Sequence, residues 1–231
     1  MNKSSEWGYY APPLASWHLR FLIKIGLARG KSKKLILRKW KQAFGSLVDF
    51  KDPNSGIKFR LNLEDNVTDG RILTSFNRYD KTEIEFLRSF CSNGTFVDVG
   101  ANIGLYSLII ALEGSKVLAI EPNPKTLSRL KYNIRLNDFG HRITILPIGI
   151  GDEGEFQLFS SGDLGAANIR FNTSISTESV TVNVRPLLDV LVEQKVDQSD
   201  GIKIDIEGME DRALFPFFKN APKTLWPRCV V

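Results

Sequence analysis

The sequence predicts an α/β fold: an open parallel sheet with helices on both faces. Three observations carry this. From Thr95 onward, short apolar runs alternate with helical patterns. The runs are apolar nearly throughout, as strands buried on both faces are. The first of them, "TFVDV", passes through an acid and a glycine turn, "DVGANIG", into a helical pattern.

Residues 14–44 read as one or two helices with a break near Gly26 to Ser32. Trp17, Phe21, Ile25 and Ala28 recur at helical spacing, as do Ile36, Trp40 and Phe44, which predicts packing faces. "DPNSGIKFRLNL" reads as a turn and a strand, "KTEIEFLRSF" as a helix closed by Asn93-Gly94. The alternation follows: strand "TFVDV", helix "IGLYSLIIALEG", strand "KVLAI", helix "PKTLSRLKYNIRLN", strand "RITILPIGI". Asn123 is the expected N-cap of the second helix, with Pro124 at its first position. Residues 151–185 read as a hairpin insertion made by "GEFQLFSS" and "ESVTVNVR". Then come helix "PLLDVLVEQ", strand "GIKIDI", a short helix "DRALFPFFKN" broken near Pro216, and strand "RCVV" beside the strand that carries Asp205.

The chain of 231 residues has a net charge of +5, unevenly placed. Residues 1–50 hold ten Lys or Arg against two acids, so they carry +8 and the rest −3. This divides the chain into a basic helical segment, 1–50, and a domain over 51–231. A basic amphipathic segment at 14–44 packs as an extra layer or meets an anionic membrane surface at its periphery. A nucleic-acid enzyme would more often carry its basic patch at the active site, so nucleic acid is disfavoured as a partner. No run is long and apolar enough to predict a transmembrane helix. Cys91 and Cys229 form no metal or redox spacing, which reads as reduced core thiols in a cytoplasmic protein. His18 and His141 make no metal spacing either, and no metal is expected.

Ligands of open parallel sheets sit at the carboxyl ends of the central strands. Asp98 to Gly104 is such a place, where Gly100 and Gly104 permit a tight turn close to a ligand. A dinucleotide fingerprint would need glycines at 102 and 105, which are Asn102 and Leu105, and no G-K-[ST] follows. The pattern D-x-G-x-x-x-G suits a ligand without pyrophosphate, such as S-adenosylmethionine. Its carboxylate and amine can use the turn Gly100, Ala101, Asn102 and Gly104, with Asp98 accepting from the ammonium. Glu121 ends the next strand, where a carboxylate can accept both ribose hydroxyls; Asn123 lies beside it.

Later, Lys203, Asp205 and Glu207 alternate with Ile202, Ile204 and Ile206, so an extended strand would place three charged groups on one face. Such charges are costly in a buried strand unless paired or facing a site. Glu207 is the first choice for a base or acceptor-binding group and Asp205 the second; either could hold the cofactor instead. Ser160, Ser161, Asn168 and Asn172 are candidates for contacts to a polyol.

"FVDVGANIGLYS", "AIEPNP", "IGIGDEGEF" and "IKIDIEGMED" resemble the FkbM-type S-adenosylmethionine-dependent methyltransferases, over roughly residues 57 to 231. The resemblance implies a class I, Rossmann-like methyltransferase fold and O-methylation of a hydroxyl on a saccharide or small natural product. A methyltransferase of RNA or protein, or a non-catalytic cofactor-binding protein, is the alternative. No N/D-P-P-Y/F motif follows the "GIKIDI" strand, which disfavours amino-group methylation of nucleic acid. The class I fold ends in further strands beyond "RCVV", so the C-terminal strands are expected to be missing, leaving an apolar edge that favours a homo-oligomer.

Overall fold

The computed structural model describes residues 6–159, 168–169, 179–206 and 208–231. The chain forms two compact units, Met1–Lys81 and Thr82–Val231.

In the first unit, α1 (Trp17–Lys24) and α2 (Gly30–Phe44) precede a hairpin of β1 (Leu47–Lys51) and β2 (Lys58–Asn62), then α3 (Val67–Ser75). The helix break falls where Gly26 takes a left-handed φ of +79°. The predicted packing face of α1 is corrected: Trp17 and Phe21 are 68% and 53% exposed, and Leu19 is the buried residue. An eight-residue helix has only two turns to bury, and Leu19 occupies the inward side. Buried Asp49 ties the hairpin together. It accepts from the backbone N–H of Gly8 at 2.7 Å and Tyr10 at 3.1 Å, and pairs with Arg60 Nε at 2.7 Å. Helix α3 was not anticipated. Asn66 caps it, accepting the N–H of Thr68 at 2.9 Å.

The second unit opens within α4 (Lys81–Cys91), whose first residue closes the first unit, and goes on with β3 (Thr95–Val99), α5 (Leu105–Leu112), β4 (Lys116–Ile120), α6 (Pro124–Leu136) and β5 (Ile143–Leu146). It continues with β6 (Gly149–Ile150), β7 (Gly154–Phe159), β8 (Asn168–Ile169), β9 (Ser179–Arg185) and α7 (Leu187–Glu193). It ends with β10 (Gly201–Ile204), α8 (Glu210–Asn220) and β11 (Cys229–Val230). The central sheet has the order β11-β10-β3-β4-β5, parallel throughout. From β3 the chain steps outward one way to β4 and β5, and later the other way from β10 to β11. The reversal between β3 and β10 is a topological switch point, where the strand ends splay and leave a crevice.

Val97, Val99, Leu118, Ile120 and Ile202 of these strands pack with Leu187 and Leu191 of α7 and with Ala213 and Phe217 of α8. Each such Val, Leu or Ile contributes about 1.5–3 kcal/mol by leaving water. Helix α5 packs on β3 and β4. As expected from the sequence, the "RCVV" strand pairs beside β10, with Gly201 opposite Cys229 and Ile202 opposite Val230.

The second sheet has the order β6-β9-β7-β8, and β7 and β9 form the expected antiparallel pair. Two expectations are corrected. "RITILPIGI" is two strands in two sheets, because Pro147 has no N–H to continue the ladder; β5 stays in the central sheet and β6 pairs with β9. Helix α8 runs through Pro216 unbroken. Proline costs its own hydrogen bond and crowds the carbonyl one turn earlier, but buried Ala213 and Phe217 anchor the helix on either side. Among the described residues, no helix is long and apolar enough to cross a membrane.

Candidate functional site

The switch point brings the turn after β3 against the end of β10. Gly100, Asn102 and Gly104 have φ of +75°, +52° and +93°, so the turn winds through left-handed conformations before α5 begins. Asparagine tolerates this region better than most residues. The N–H groups of Gly100 and Ala101 both donate to the Ile120 carbonyl at 3.0 Å, which folds the turn over the end of β4. A Cβ on Gly100 would lie 2.1 Å from the Asp205 carbonyl oxygen.

Glu121 holds two loops together. One carboxylate oxygen accepts from the Asn102 N–H and the other from the Asn123 N–H, each at 2.9 Å. Asn123 in turn caps α6, accepting the Lys125 N–H at 3.0 Å. Glu121 is 7% exposed. Burial pushes its carboxyl up to about 7; the two N–H donors and the Lys203 ammonium pull the other way without cancelling it.

Asp98 is fully buried on β3. Its Oδ2 accepts the Ser107 hydroxyl at 2.6 Å, and its Oδ1 has no hydrogen-bond partner. Lys203, opposite it on β10, is the central cation. Its Nζ donates to the Gly100 carbonyl at 2.8 Å and stands 3.7 Å from Asp98 and 3.9 Å from Asp205. It also lies 5.5 Å from the Tyr106 ring centre. The alternation of charges was legible in the sequence, but Lys203 bridging two strands was not. A buried Lys in register with the acid of a neighbouring strand is the signal, and register is a property of the folded sheet.

Strand β10 stops at Ile204, although the Asp205 N–H still donates to Val99 at 3.1 Å. The Asp205 side chain is 70% exposed at the mouth of the crevice. Glu207 lies outside the described residues, as do Ser160, Ser161 and Asn172; Asn168 pairs through its backbone in β8. Glu210 was missed by sequence reasoning. Its Oε1 accepts the N–H groups of Ile206 at 3.0 Å and Gly208 at 3.2 Å, which shapes the loop after β10. Partial burial raises its carboxyl, but those donors and its own N–H outweigh this and leave it below the ordinary value. Among the described residues, no group of three His, Cys, Asp or Glu side chains is placed to hold a metal ion.

A family model described as Methyltransferase FkbM domain matches residues 98–230, the stretch that contains the end of β3, the turn, Glu121 and β10. The chain belongs to the FkbM methyltransferase family. Among curated proteins, this FkbM-family chain is similar to Methyltransferase sdnD of Sordaria araneosa, with 29% identity over 52% of the chain. The match spans 58% of that relative's length. Two solved structures are similar. One is a SAM-dependent methyltransferase from Agrobacterium tumefaciens, with TM-score 0.40, 13% identity, 71% of this chain and 41% of that one. The other is TYW2 of Pyrococcus horikoshii in complex with MeSAdo, with TM-score 0.38, 21% identity, 52% of this chain and 50% of that one.

The cofactor of the FkbM family is S-adenosylmethionine, and the residues present fit it. Gly100 lets the turn lie backbone to backbone against Asp205 at the carboxyl ends of the switch-point strands. Each Glu121 oxygen has accepted one N–H and retains capacity for a second donor, as a ribose diol requires. Glu121 and Asp205 give the crevice acids suited to a ligand that carries a sulfonium and an ammonium, with Lys203 as the counter-charge, whereas Asp98, which the sequence suggested for the ammonium, is fully buried and already holds Ser107 and Lys203.

Proposed function

We propose that this protein is an S-adenosylmethionine-dependent O-methyltransferase acting on a hydroxyl of a saccharide or small natural product. The observation that carries this reading is the pairing of the Gly100 turn with Glu121 across the carboxyl ends of β3 and β4. When bound, S-adenosylmethionine supplies an electrophilic methyl group on a sulfonium that departs as a neutral thioether.

The chain's own residues then have three tasks. Glu121 accepts the ribose hydroxyls and, through Asn102 and Asn123, fixes the loops that flank them. Lys203 locks the Gly100 carbonyl and keeps the buried Asp98 paired, so that the turn holds one shape. Asp205, exposed at the end of the switch strand, or Glu207 two positions on, takes the proton from the acceptor hydroxyl as its oxygen bonds to the methyl carbon. A positioned base contributes about a hundred- to ten-thousand-fold.

Calorimetry with S-adenosylmethionine, on the wild type and on Glu121→Ala, tests the cofactor part. The affinity should fall by about tenfold or more, as expected when a charge-assisted hydrogen bond to the ribose is lost. Methyl transfer from labelled cofactor to a panel of sugars, glycosides and phenols tests the acceptor class. Transfer only to RNA or to protein would overturn it.

A further inference from the structure

The first unit holds a cavity of about 1000 Å³ that methyl transfer, as placed above, does not use. This is the upper end of the range for small-ligand sites. Two chemistries meet in its wall. Trp17, Phe21, Phe50 and Phe76 give it an aromatic side. Arg20, Lys24, Lys51 and Arg78 bring four cations to it, and none forms an ion pair among the described residues. The acids Asp49 and Asp52 also line it; Asp49 is spent on Arg60 and two backbone N–H groups, and Asp52 Oδ2 accepts from Asn54 and Ser55.

The second observation is independent of charge. Trp40 and Asp52 line the same cavity and are each 1% exposed. Each keeps one polar atom without a hydrogen-bond partner, Trp40 Nε1 as donor and Asp52 Oδ1 as acceptor. Buried polar groups in folded proteins are paired with few exceptions, and the orphaned Trp40 N–H points to an acceptor oxygen absent from the chain, whereas the Asp52 oxygen calls for a donor and does not itself favour an anion. Helix α1 contributes Trp17, Arg20, Phe21 and Lys24 to the wall, and Ile25, which follows it, is 50% exposed.

We propose that this cavity binds a monomeric amphipathic anion, a phosphate or carboxylate headgroup on a single aliphatic or isoprenoid chain. The aromatic side buries the chain. Arg20, Lys24 and Arg78 take the headgroup, since guanidinium and ammonium donors form the strongest hydrogen bonds to such oxygens. A free inorganic anion would leave the aromatic side in water, and a neutral amphiphile would make no use of the four cations.

Dodecyl phosphate below its micelle concentration is the probe, titrated into the full chain with tryptophan fluorescence and calorimetry as readouts. Saturable one-site binding is expected, with Arg20→Glu/Lys24→Glu weaker by about tenfold, the loss of one charge-assisted contact or more. Both side chains are exposed, and Lys24→Glu alone serves as the second variant if the melting curve of the double variant shifts. Inorganic phosphate and dodecyl maltoside should bind far more weakly. Equal binding of inorganic phosphate, or undiminished binding by both charge variants, would overturn the proposal. So would capture only by phosphatidylcholine vesicles containing about one-third phosphatidylserine, which would assign the basic face to a bilayer surface instead.

Discussion

The carbonyl oxygen of Asp205 occupies the place where a side chain on Gly100 would have to go, 2.1 Å from a Cβ built there. Two strands that are distant in sequence thus meet backbone to backbone at the switch point. Gly100→Ala should therefore destabilise the second unit by about 3 kcal/mol, combining overpacking against a backbone atom with left-handed strain at φ +75°. Urea denaturation checks it. A midpoint within error of the wild type would mean that the turn can open without cost.

Glu121 gives a pH dependence with a definite sign. Its carboxyl is raised from an ordinary 4.5 to about 7 in the fold. Between these values the folded state binds more protons than the unfolded state, so this group's contribution to stability falls as pH rises through the window. The whole effect is at most about 3 kcal/mol, at 1.36 kcal/mol per unit. Glu121→Gln should flatten that slope. Cofactor affinity should run the opposite way, rising toward and above pH 7 as the carboxylate becomes a full acceptor for the ribose. Denaturation midpoints and calorimetric affinities measured across the window test both signs. An unchanged slope in Glu121→Gln would remove Glu121 as the cause.

Lys203→Met removes the ammonium and keeps the stem length. Asp98, fully buried with an oxygen that has no hydrogen-bond partner, then loses the one cation paired with it among the described residues, which should cost about 3–5 kcal/mol. Adding Asp98→Asn should recover part of this, with a coupling of about 0.5–3 kcal/mol in a double-mutant cycle. Additive effects would show that the pair does not interact across the strands.

The central sheet and its helices were legible because strands buried on both faces read as apolar blocks, and because Asn123-Pro124 and the two glycines are local signals. Asp98, Gly100, Glu121 and Asp205 were legible as candidates for the same reason: each sits at or near the end of such a block. What was not legible depends on partners. Trp17, Phe21 and Ile25 have helical spacing whether they face a core or water, so periodicity alone misassigned the face of α1. Helix α3 carries Gly70 and two threonines and shows little apolar periodicity; its N-cap Asn66 was the one local cue. The joint role of Glu210 and Gly208 in the loop after β10 arises from that loop folding back, which no spacing announces.

The two cysteines, 138 positions apart, converge in the fold. A Cβ on Gly201 would lie 2.5 Å from Cys91 Sγ and 3.1 Å from Cys229 Sγ. Both thiols are buried and reduced. Burial, reinforced by the neighbouring Cys229, pushes Cys91 up to about 12. Since the thiolate is the reacting species, iodoacetamide should leave Cys91 unmodified in the native protein at neutral pH and label it in urea. Rapid labelling of Cys91 in the native state would show that the end of α4 opens readily.

The choice between Asp205 and Glu207 as base is open to a direct comparison. Asp205 stands 3.9 Å from Lys203, but its side chain is mostly in solvent, so its substitution disturbs little besides that pair. Asp205→Asn and Glu207→Gln each keep size and remove the ability to take a proton. If the proposed transfer to a hydroxyl is right, one of the two should lower kcat by about a hundredfold or more while cofactor affinity stays within a few fold. The other should change turnover little. The pH profile separates a base from a residue that only orients the acceptor. Loss of the base removes the acid limb of kcat, whereas loss of an orienting hydrogen bond lowers the whole profile without moving the limb. Normal turnover by both variants on a genuine acceptor would place the proton acceptor elsewhere in the crevice.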